Sequence, residues 1–127
     1  IRIRKLIEEL RKDGLDMNKF LTTIKNLKYS NNVINFYVAE NLRQNTFYSE
    51  KDKRLILNKS FFLNSYEVVF RGLSDSLKRI SGRYYPVRGK KLDKIIHDIQ
   101  NNRLFRSTLG GCIVEKINQT VIISKEN

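Results

Sequence analysis

Few residues of this chain have side chains suited to catalysis or metal binding. His97 is the single histidine, and Asp93 and Asp98 flank it on one predicted helical arc, which is too few groups for a metal site. Cys112 is the single cysteine and stands in an apolar β-branched run, as is typical of a small buried residue rather than a reactive thiol. Gly110-Gly111 lacks a following Lys-Ser/Thr, so a bulge or tight packing explains it as well as an anion-binding nest does. We predict no catalytic residue and no metal site here.

Basic residues next to aromatic ones form a second kind of candidate site. The 127 residues include 25 Lys and Arg against 13 Asp and Glu, a net charge of +12. Residues 78–106 alone hold 9 basic and 2 acidic residues. Fixed cations on adjoining elements suit a phosphodiester backbone, because each neutralised phosphate releases counterions, and Tyr84 and Tyr85 are suited to stacking on an unpaired base. The candidate RNA-binding residues are Arg79, Arg83, Arg88, Lys90, Lys91, Lys94, Arg103 and Arg106.

The charge also has an ordinary explanation that stays open. Lys, Asn and Ile make up 41 of the 127 residues, a bias that AT-rich coding alone produces. On this interpretation the cations merely solvate helix surfaces, and Tyr84 and Tyr85 pack into the junction between two helices. The uneven placement of the charge, rather than its total, therefore carries the RNA-binding hypothesis.

The elements that position these residues follow from apolar periodicity. The predicted helices cover residues 1–13, 16–44, 64–82 and 87–101. A short strand or extended segment is expected at 55–57, and β-branched runs at 108–114 and 120–124 predict a hairpin. We therefore expect a mainly α fold of about four helices with a C-terminal β-hairpin.

Composition excludes several classes of protein. The length suits one domain, and a single cysteine excludes a disulfide framework. No apolar run approaches the ~18 residues of a membrane span. The chain begins with Ile and has no signal peptide, so we expect a cytoplasmic piece of a larger protein.

Three ordered segments resemble bacterial tRNA(Ile)-lysidine synthetases, most of all their alphaproteobacterial branch. Residues 106–115, with Thr-Leu-Gly-Gly-Cys at their centre, and residues 122–126 resemble the family's "TLGGC … RE" hairpin. Residues 81–92 resemble its "G-x-x-Y-P-P-R … K-L" segment, and the opening Arg-Ile-Arg resembles the helix that leaves the ATP-binding domain. Two departures are Tyr85, where a second Pro is frequent, and Lys125, where Arg is usual.

The resemblance implies a specific activity for the whole enzyme. Family members use ATP and Mg²⁺ to adenylate the wobble cytidine of an isoleucine tRNA with a CAU anticodon, and lysine then displaces AMP. That chemistry resides in an N-terminal PP-loop domain with an SGGxDS loop, and these 127 residues contain no such loop. The chain is therefore expected to be inactive alone and to bind no cofactor, with the tRNA and the PP-loop domain as its partners.

The resemblance also implies a division of the chain. Residues 1–45 would be connecting helices that leave the ATP-binding domain, with Arg2 and Arg4 near the absent active site. Residues 46–127 would be a helical tRNA-binding domain with a terminal hairpin. The alternative is a structural interaction module that docks on a partner domain and has an incidental basic surface.

Overall fold

The computed structural model describes residues 4, 5, 8, 17–83, 87–103 and 106–126. The chain divides into two compact units, residues 1–34 and 35–127. The division falls within a long helix, α1, which spans Met17–Asn45. Within the described part of the chain, no helix is long and apolar enough to cross a membrane.

Part of the predicted first helix and the tyrosine pair fall outside the described residues. Arg4, together with residues 5 and 8, is helical and exposed. Arg2, Tyr84 and Tyr85 are not among the described residues, so the expectations about them stay predictions, as does the domain boundary at residue 45.

Three α-helices with defined ends occur at segments where the apolar periodicity predicts them. Besides α1 they are α2, Tyr66–Ser81, and α3, Gly89–Gln100. Helix α2 ends at Gly82, whose φ of 73° is left-handed and whose N–H donates to the carbonyl of Lys78. Glycine accepts this conformation without a steric penalty, which is why the helix stops there. A short 3₁₀ helix, Lys59–Leu63, precedes α2.

The second layer is a five-stranded antiparallel sheet. Its strands are β1 Thr46–Ser49, β2 Arg54–Leu57, β3 Arg106–Leu109, β4 Cys112–Ile117 and β5 Thr120–Lys125. They lie in the order β1-β2-β5-β4-β3. The pairing of β2 with β5 places Leu55 opposite Ile123 and Leu57 opposite Val121. This contact joins two hairpins that are far apart in the sequence into one sheet.

The prediction of a mainly α fold with about four helices and a terminal hairpin is wrong. The strand expected at 55–57 is present as β2, and a hairpin exists at 112–125. The run predicted at 108–114 is divided by the Gly110-Gly111 turn into the end of β3 and the start of β4, and the β1–β2 hairpin extends the sheet on its other side. Strands β1 and β3 have only 4 residues each, too few to display a period of two. Their strand conformation depends on pairing with distant partners, which local periodicity does not report.

The core lies between one face of the sheet and helices α2 and α3. Its buried residues include Leu57 and Val114 from the sheet and Leu73, Leu77, Leu92 and Ile96 from the helices. The 3₁₀ helix adds Phe61, whose ring would lie 3.1 Å from a Cβ atom on Gly72, so only a glycine lets α2 approach this closely.

A buried polar network holds the end of α1 against the 3₁₀ helix. The side chain of Asn41 is buried, and its Nδ2 donates to the carbonyl of Phe61 at 3.2 Å. Its Oδ1 accepts from Nδ2 of Asn45 at 2.7 Å and from Nδ2 of Asn64 at 2.9 Å. Because each polar atom has a partner, the burial of this carboxamide stabilises the domain instead of straining it.

Candidate nucleic-acid interface

The turn between β3 and β4 packs against the segment that joins α2 to α3. Leu109 pairs with Cys112, so Gly110 and Gly111 form a two-residue loop, and their φ values of 58° and 82° suit a type I′ turn. A Cβ atom on Gly110 would collide with the side chain of Val87. The paired glycines therefore meet both a conformational and a spatial requirement, and tight packing explains them better than an anion nest does.

Beside this turn lies a groove that is lined largely by cations. Its volume is about 390 Å³, and it opens between the end of α2, the start of α3 and the β3–β4 turn. Its basic residues are Lys78, Arg83, Arg88 and Lys91, and its other lining residues are Ser81, Val87, Leu109 and Gly110.

A second depression continues the groove between α3 and the edge strand β3. It has a volume of about 220 Å³ and shares Lys91 and Leu109 with the first. Lys94 and Asp98 from α3 and the polar side chains of Ser107 and Thr108 from β3 also line it. We call the two depressions together the basic groove. Its cations are Lys78, Arg83, Arg88, Lys91 and Lys94.

The cations of the basic groove are not neutralised by ion pairs. Ion pairs join Arg43 to Glu40, Arg71 to Glu67 and His97 to Asp93, and no ion pair between described residues involves any of the five groove cations. Asp98 is the one acidic residue among the described residues that line the groove. The groove therefore has an uncompensated positive potential, which attracts an anionic ligand.

Helix polarity explains some of these cations and not others. Lys78 lies in the last turn of α2, where the helix dipole favours a cation. Arg88, Lys90 and Lys91 lie at the start of α3, where the dipole favours an anion, and the first turn of α3 contains no acidic residue. This placement works against helix stability, so the positive charge at the start of α3 is not explained by the fold.

The structure separates the remaining candidate residues from the groove. The guanidinium of Arg79 lies over the ring of Tyr48, 5.0 Å from its centroid, in a cation–π contact. Lys90, Arg103 and Arg106 are exposed but do not line the groove.

Lys78, the first residue of the basic stretch at 78–106, also lines the groove. Its place in that stretch is the signal for it in the sequence.

Two further polar groups have well-defined surroundings. The hydroxyl of Tyr66 donates to Oδ1 of Asp93, whose same oxygen lies 3.4 Å from Nε2 of His97. Tyr66 is 41% exposed as a whole, but partial desolvation of its hydroxyl, followed by the hydrogen bond to Asp93, raises the pKa of Tyr66 to about 12. Across the described residues no three His, Cys, Asp or Glu side chains form a group that could hold a metal ion.

The single cysteine is a core residue. Cys112 is fully buried, and its Sγ lies 3.4 Å from the carbonyl oxygen of Leu77. Burial raises the pKa of its thiol, which disfavours the reactive thiolate. Its role is therefore packing between β4 and α2.

Comparison of the chain with family models, with curated proteins and with solved structures gives no match. Two segments that are distant in the sequence line the same groove. Arg83 and Arg88 come from the first segment, and Leu109 and Gly110 come from the second. Residues that are more than twenty positions apart in the sequence thus meet at one surface.

Proposed function

We propose that this chain is the tRNA-binding and substrate-positioning part of a tRNA(Ile)-lysidine synthetase, inactive alone and located in the cytoplasm. In the whole enzyme, a PP-loop domain would use ATP and Mg²⁺ to activate the wobble cytidine. This chain would hold the tRNA so that the cytidine reaches that domain.

The observation that carries the proposal is the basic groove. It brings together five cations from three elements, and none of them has an ion-pair partner among the described residues. Arginine and lysine fixed in this way neutralise phosphates, release counterions and set the register of an RNA backbone without reading its bases. An RNA phosphate would also offset the unfavourable dipole interaction at the start of α3.

Positioning is a sufficient role for a domain without catalytic groups. Holding a substrate in the reactive orientation lowers the activation barrier at a remote centre, because the entropy of association is lost on binding rather than at the transition state. The exposed charge also steers the tRNA toward the groove before contact.

The experiment measures binding of a labelled isoleucine tRNA with a CAU anticodon by fluorescence anisotropy, at about 50 mM and about 200 mM salt. The test variant is Lys91→Glu/Lys94→Glu, and the matched control is Lys51→Glu in the exposed β1–β2 turn. We expect the double variant to lose at least about tenfold in affinity and to reduce the salt slope by about 2, since each lost phosphate contact removes about 1.

Two results would contradict the proposal. One is equal affinity of the double variant and the Lys51→Glu control at low salt. The other is a duplex DNA competitor that displaces the tRNA at an equal concentration, because this would indicate a general polyanion surface rather than a tRNA-binding one.

One observation favours the alternative of a structural interaction module. Helix α1 exposes six large apolar side chains, each more than half accessible. They are Leu21, Leu27, Tyr29, Val33, Phe36 and Tyr37. Exposed apolar side chains in such number are typical of surfaces that a partner covers. Absent or salt-independent tRNA binding would favour this function over the first.

A further inference from the structure

A separate cavity lies at the C-terminal end of α3. Its volume is about 480 Å³, which is within the range of about 300–1,000 Å³ for small-molecule sites. Ile99 and Gln100 of α3 line this cavity, whereas Lys91, Lys94 and Asp98 of the same helix line the basic groove. The two sites therefore use different residues of one helix.

Four of the residues that line the cavity are apolar. Phe62 and Leu63 come from the 3₁₀ helix, Ile99 from α3 and Val121 from β5. Leu63 is 71% exposed, more than any other large apolar residue among those described. An apolar side chain left in water at the mouth of a cavity is a typical contact for the flat or apolar part of a ligand.

Two ammonium groups line the same cavity. Lys59 is exposed at its edge, while Lys116 is fixed, because its Nζ donates to the carbonyl of Ile99 at 2.9 Å and to Oδ1 of Asn102. An ammonium group has three donors, so one N–H of Lys116 is left for a ligand. The described residues that line the cavity include no Asp or Glu.

The negative end of the α3 dipole does not cancel the positive charge of Lys59 and Lys116. The carbonyl of His97 accepts from the backbone N–H of Asn101 at 2.9 Å, and that of Asp98 accepts from the N–H of Arg103 at 2.8 Å. The carbonyl of Ile99 accepts from Lys116. With these carbonyls occupied, the two full charges outweigh the partial charge of the helix end, which is about half a unit.

The remaining polar lining consists of carboxamides. Gln100, Asn102 and Gln119 each present both a donor and an acceptor. Gln119 reaches the cavity from the β4–β5 turn, where Asn118 adopts a φ of 58°. Paired donors and acceptors beside apolar residues match the hydrogen-bonding edge and the flat faces of a nucleobase.

We propose that this cavity binds a nucleoside monophosphate group. The phosphate lies on the ammonium groups of Lys59 and Lys116, the base lies on the apolar residues, and its edge contacts the carboxamides. Such a group comes either from a free nucleotide or from an unpaired nucleotide of an RNA strand. The cavity does not share a lining residue with the basic groove, so this site is independent of the function proposed above.

The test is a titration of the ¹⁵N-labelled chain, followed by amide chemical shifts at low salt, with each of the four nucleoside 5′-monophosphates. The matching probes are the four nucleosides and inorganic phosphate. We expect at least one nucleotide to shift the amide signals of residues 99–102 and 116–121. This nucleotide should bind at least about tenfold more tightly than its nucleoside or inorganic phosphate, because it contacts both the ammonium groups and the apolar residues. Signals that do not move, or inorganic phosphate that acts as strongly as the nucleotide, would overturn the proposal.

Two variants of exposed residues test the geometry without disturbing the core. Lys59→Gln should weaken nucleotide binding about threefold, as expected for an exposed charge contact. Leu63→Glu should weaken nucleotide binding about tenfold, since the substitution removes an apolar contact and adds a negative charge that repels the phosphate. The control Lys51→Gln removes an equally exposed charge from the β1–β2 turn and should have no effect. Equal losses in Lys59→Gln and Lys51→Gln would refute a specific site.

Two further arms separate the sources and the two proposals. An RNA duplex with an unpaired 3′ overhang that shifts the cavity signals, when the same duplex with blunt ends does not, identifies an RNA strand as the source. Shifts with mononucleotides alone identify a free nucleotide. The Lys91→Glu/Lys94→Glu variant should bind nucleotide as tightly as the wild type. Failure of the groove to bind tRNA would therefore not contradict nucleotide binding in the cavity, and failure of the cavity to bind nucleotide would not contradict tRNA binding in the groove.

Discussion

The guanidinium of Arg83 lies against Gly111, at a distance of 3.0 Å between its Nε, Cζ and Nη2 atoms and the position of a Cβ on that glycine. The absence of a side chain at Gly111 therefore makes room for a cation of the basic groove. Since Gly110 also accommodates Val87, the turn between β3 and β4 shapes the groove as well as reversing the chain.

The first prediction concerns these glycines. Gly110→Ala combines a positive φ with a collision against Val87, and we expect a loss of about 2–4 kcal/mol in the free energy of unfolding. Gly82→Ala has a similar φ of 73° but meets no atom within 4 Å, so it should cost only about 1 kcal/mol. Urea denaturation of both variants measures the difference. Equal losses would show that the contact with Val87 contributes nothing.

Adjacent lysines on α3 should differ in RNA binding. The sequence makes Lys90, Lys91 and Lys94 equal candidates for RNA binding, but only Lys91 and Lys94 line the groove. We expect Lys91→Glu to weaken tRNA binding several-fold more than Lys90→Glu at low salt. Anisotropy titrations of the two single variants test this, and a larger effect at Lys90 would place the RNA outside the groove.

The buried carboxamide of Asn41 should be essential for stability. Asn41→Ala leaves the carbonyl of Phe61 and the Nδ2 groups of Asn45 and Asn64 without this partner. We expect a loss of about 2–3 kcal/mol in the free energy of unfolding. The control is Asn32→Ala, an exposed position on the same helix, which should change stability by less than about 0.5 kcal/mol. A loss at Asn41 no larger than at Asn32 would mean that water replaces these bonds.

The phenol of Tyr66 should ionise at an unusually high pH. Its pKa rises from 10.0 to about 12 because of partial desolvation of the hydroxyl and the hydrogen bond to Asp93. A raised folded-state pKa means that this contribution to stability is complete below pH 10 and is lost as the pH rises toward 12. The ultraviolet titration of wild type minus Tyr66→Phe should therefore have a midpoint well above 10, and Asp93→Asn should lower it. A midpoint near 10 in the difference titration would contradict the hydrogen bond.

The helices of the second unit were predictable because the residues that specify each helix lie close together in the sequence. In α2, Val69, Leu73 and Leu77 recur at helical spacing, and Gly82 marks the end, so a short window of sequence contains both the apolar face and the stop. The hairpin at 112–125 was predictable for the same reason, since adjacent β-branched runs flank one turn.

The sheet and the site were only partly predictable. No strand is predicted at residues 46–49, yet Thr46 pairs with Leu57, and β2 in turn pairs with β5. The sequence also located the concentration of positive charge between residues 78 and 106. It did not distinguish Arg79, which stacks on Tyr48, from Arg83, which lines the groove, because that difference depends on which neighbour each side chain meets.

The sequence by itself thus determined the helical segments, the short strand at 55–57 and the basic stretch, all of which depend on residues near one another in the chain. Only the tertiary structure decided that five strands form one sheet and that five cations share a groove. It also decided that a second cavity lies at the C-terminal end of α3. The physical reason is that strand pairing and groove lining are contacts between residues distant in the chain, and their free energy arises only when the core brings those residues together.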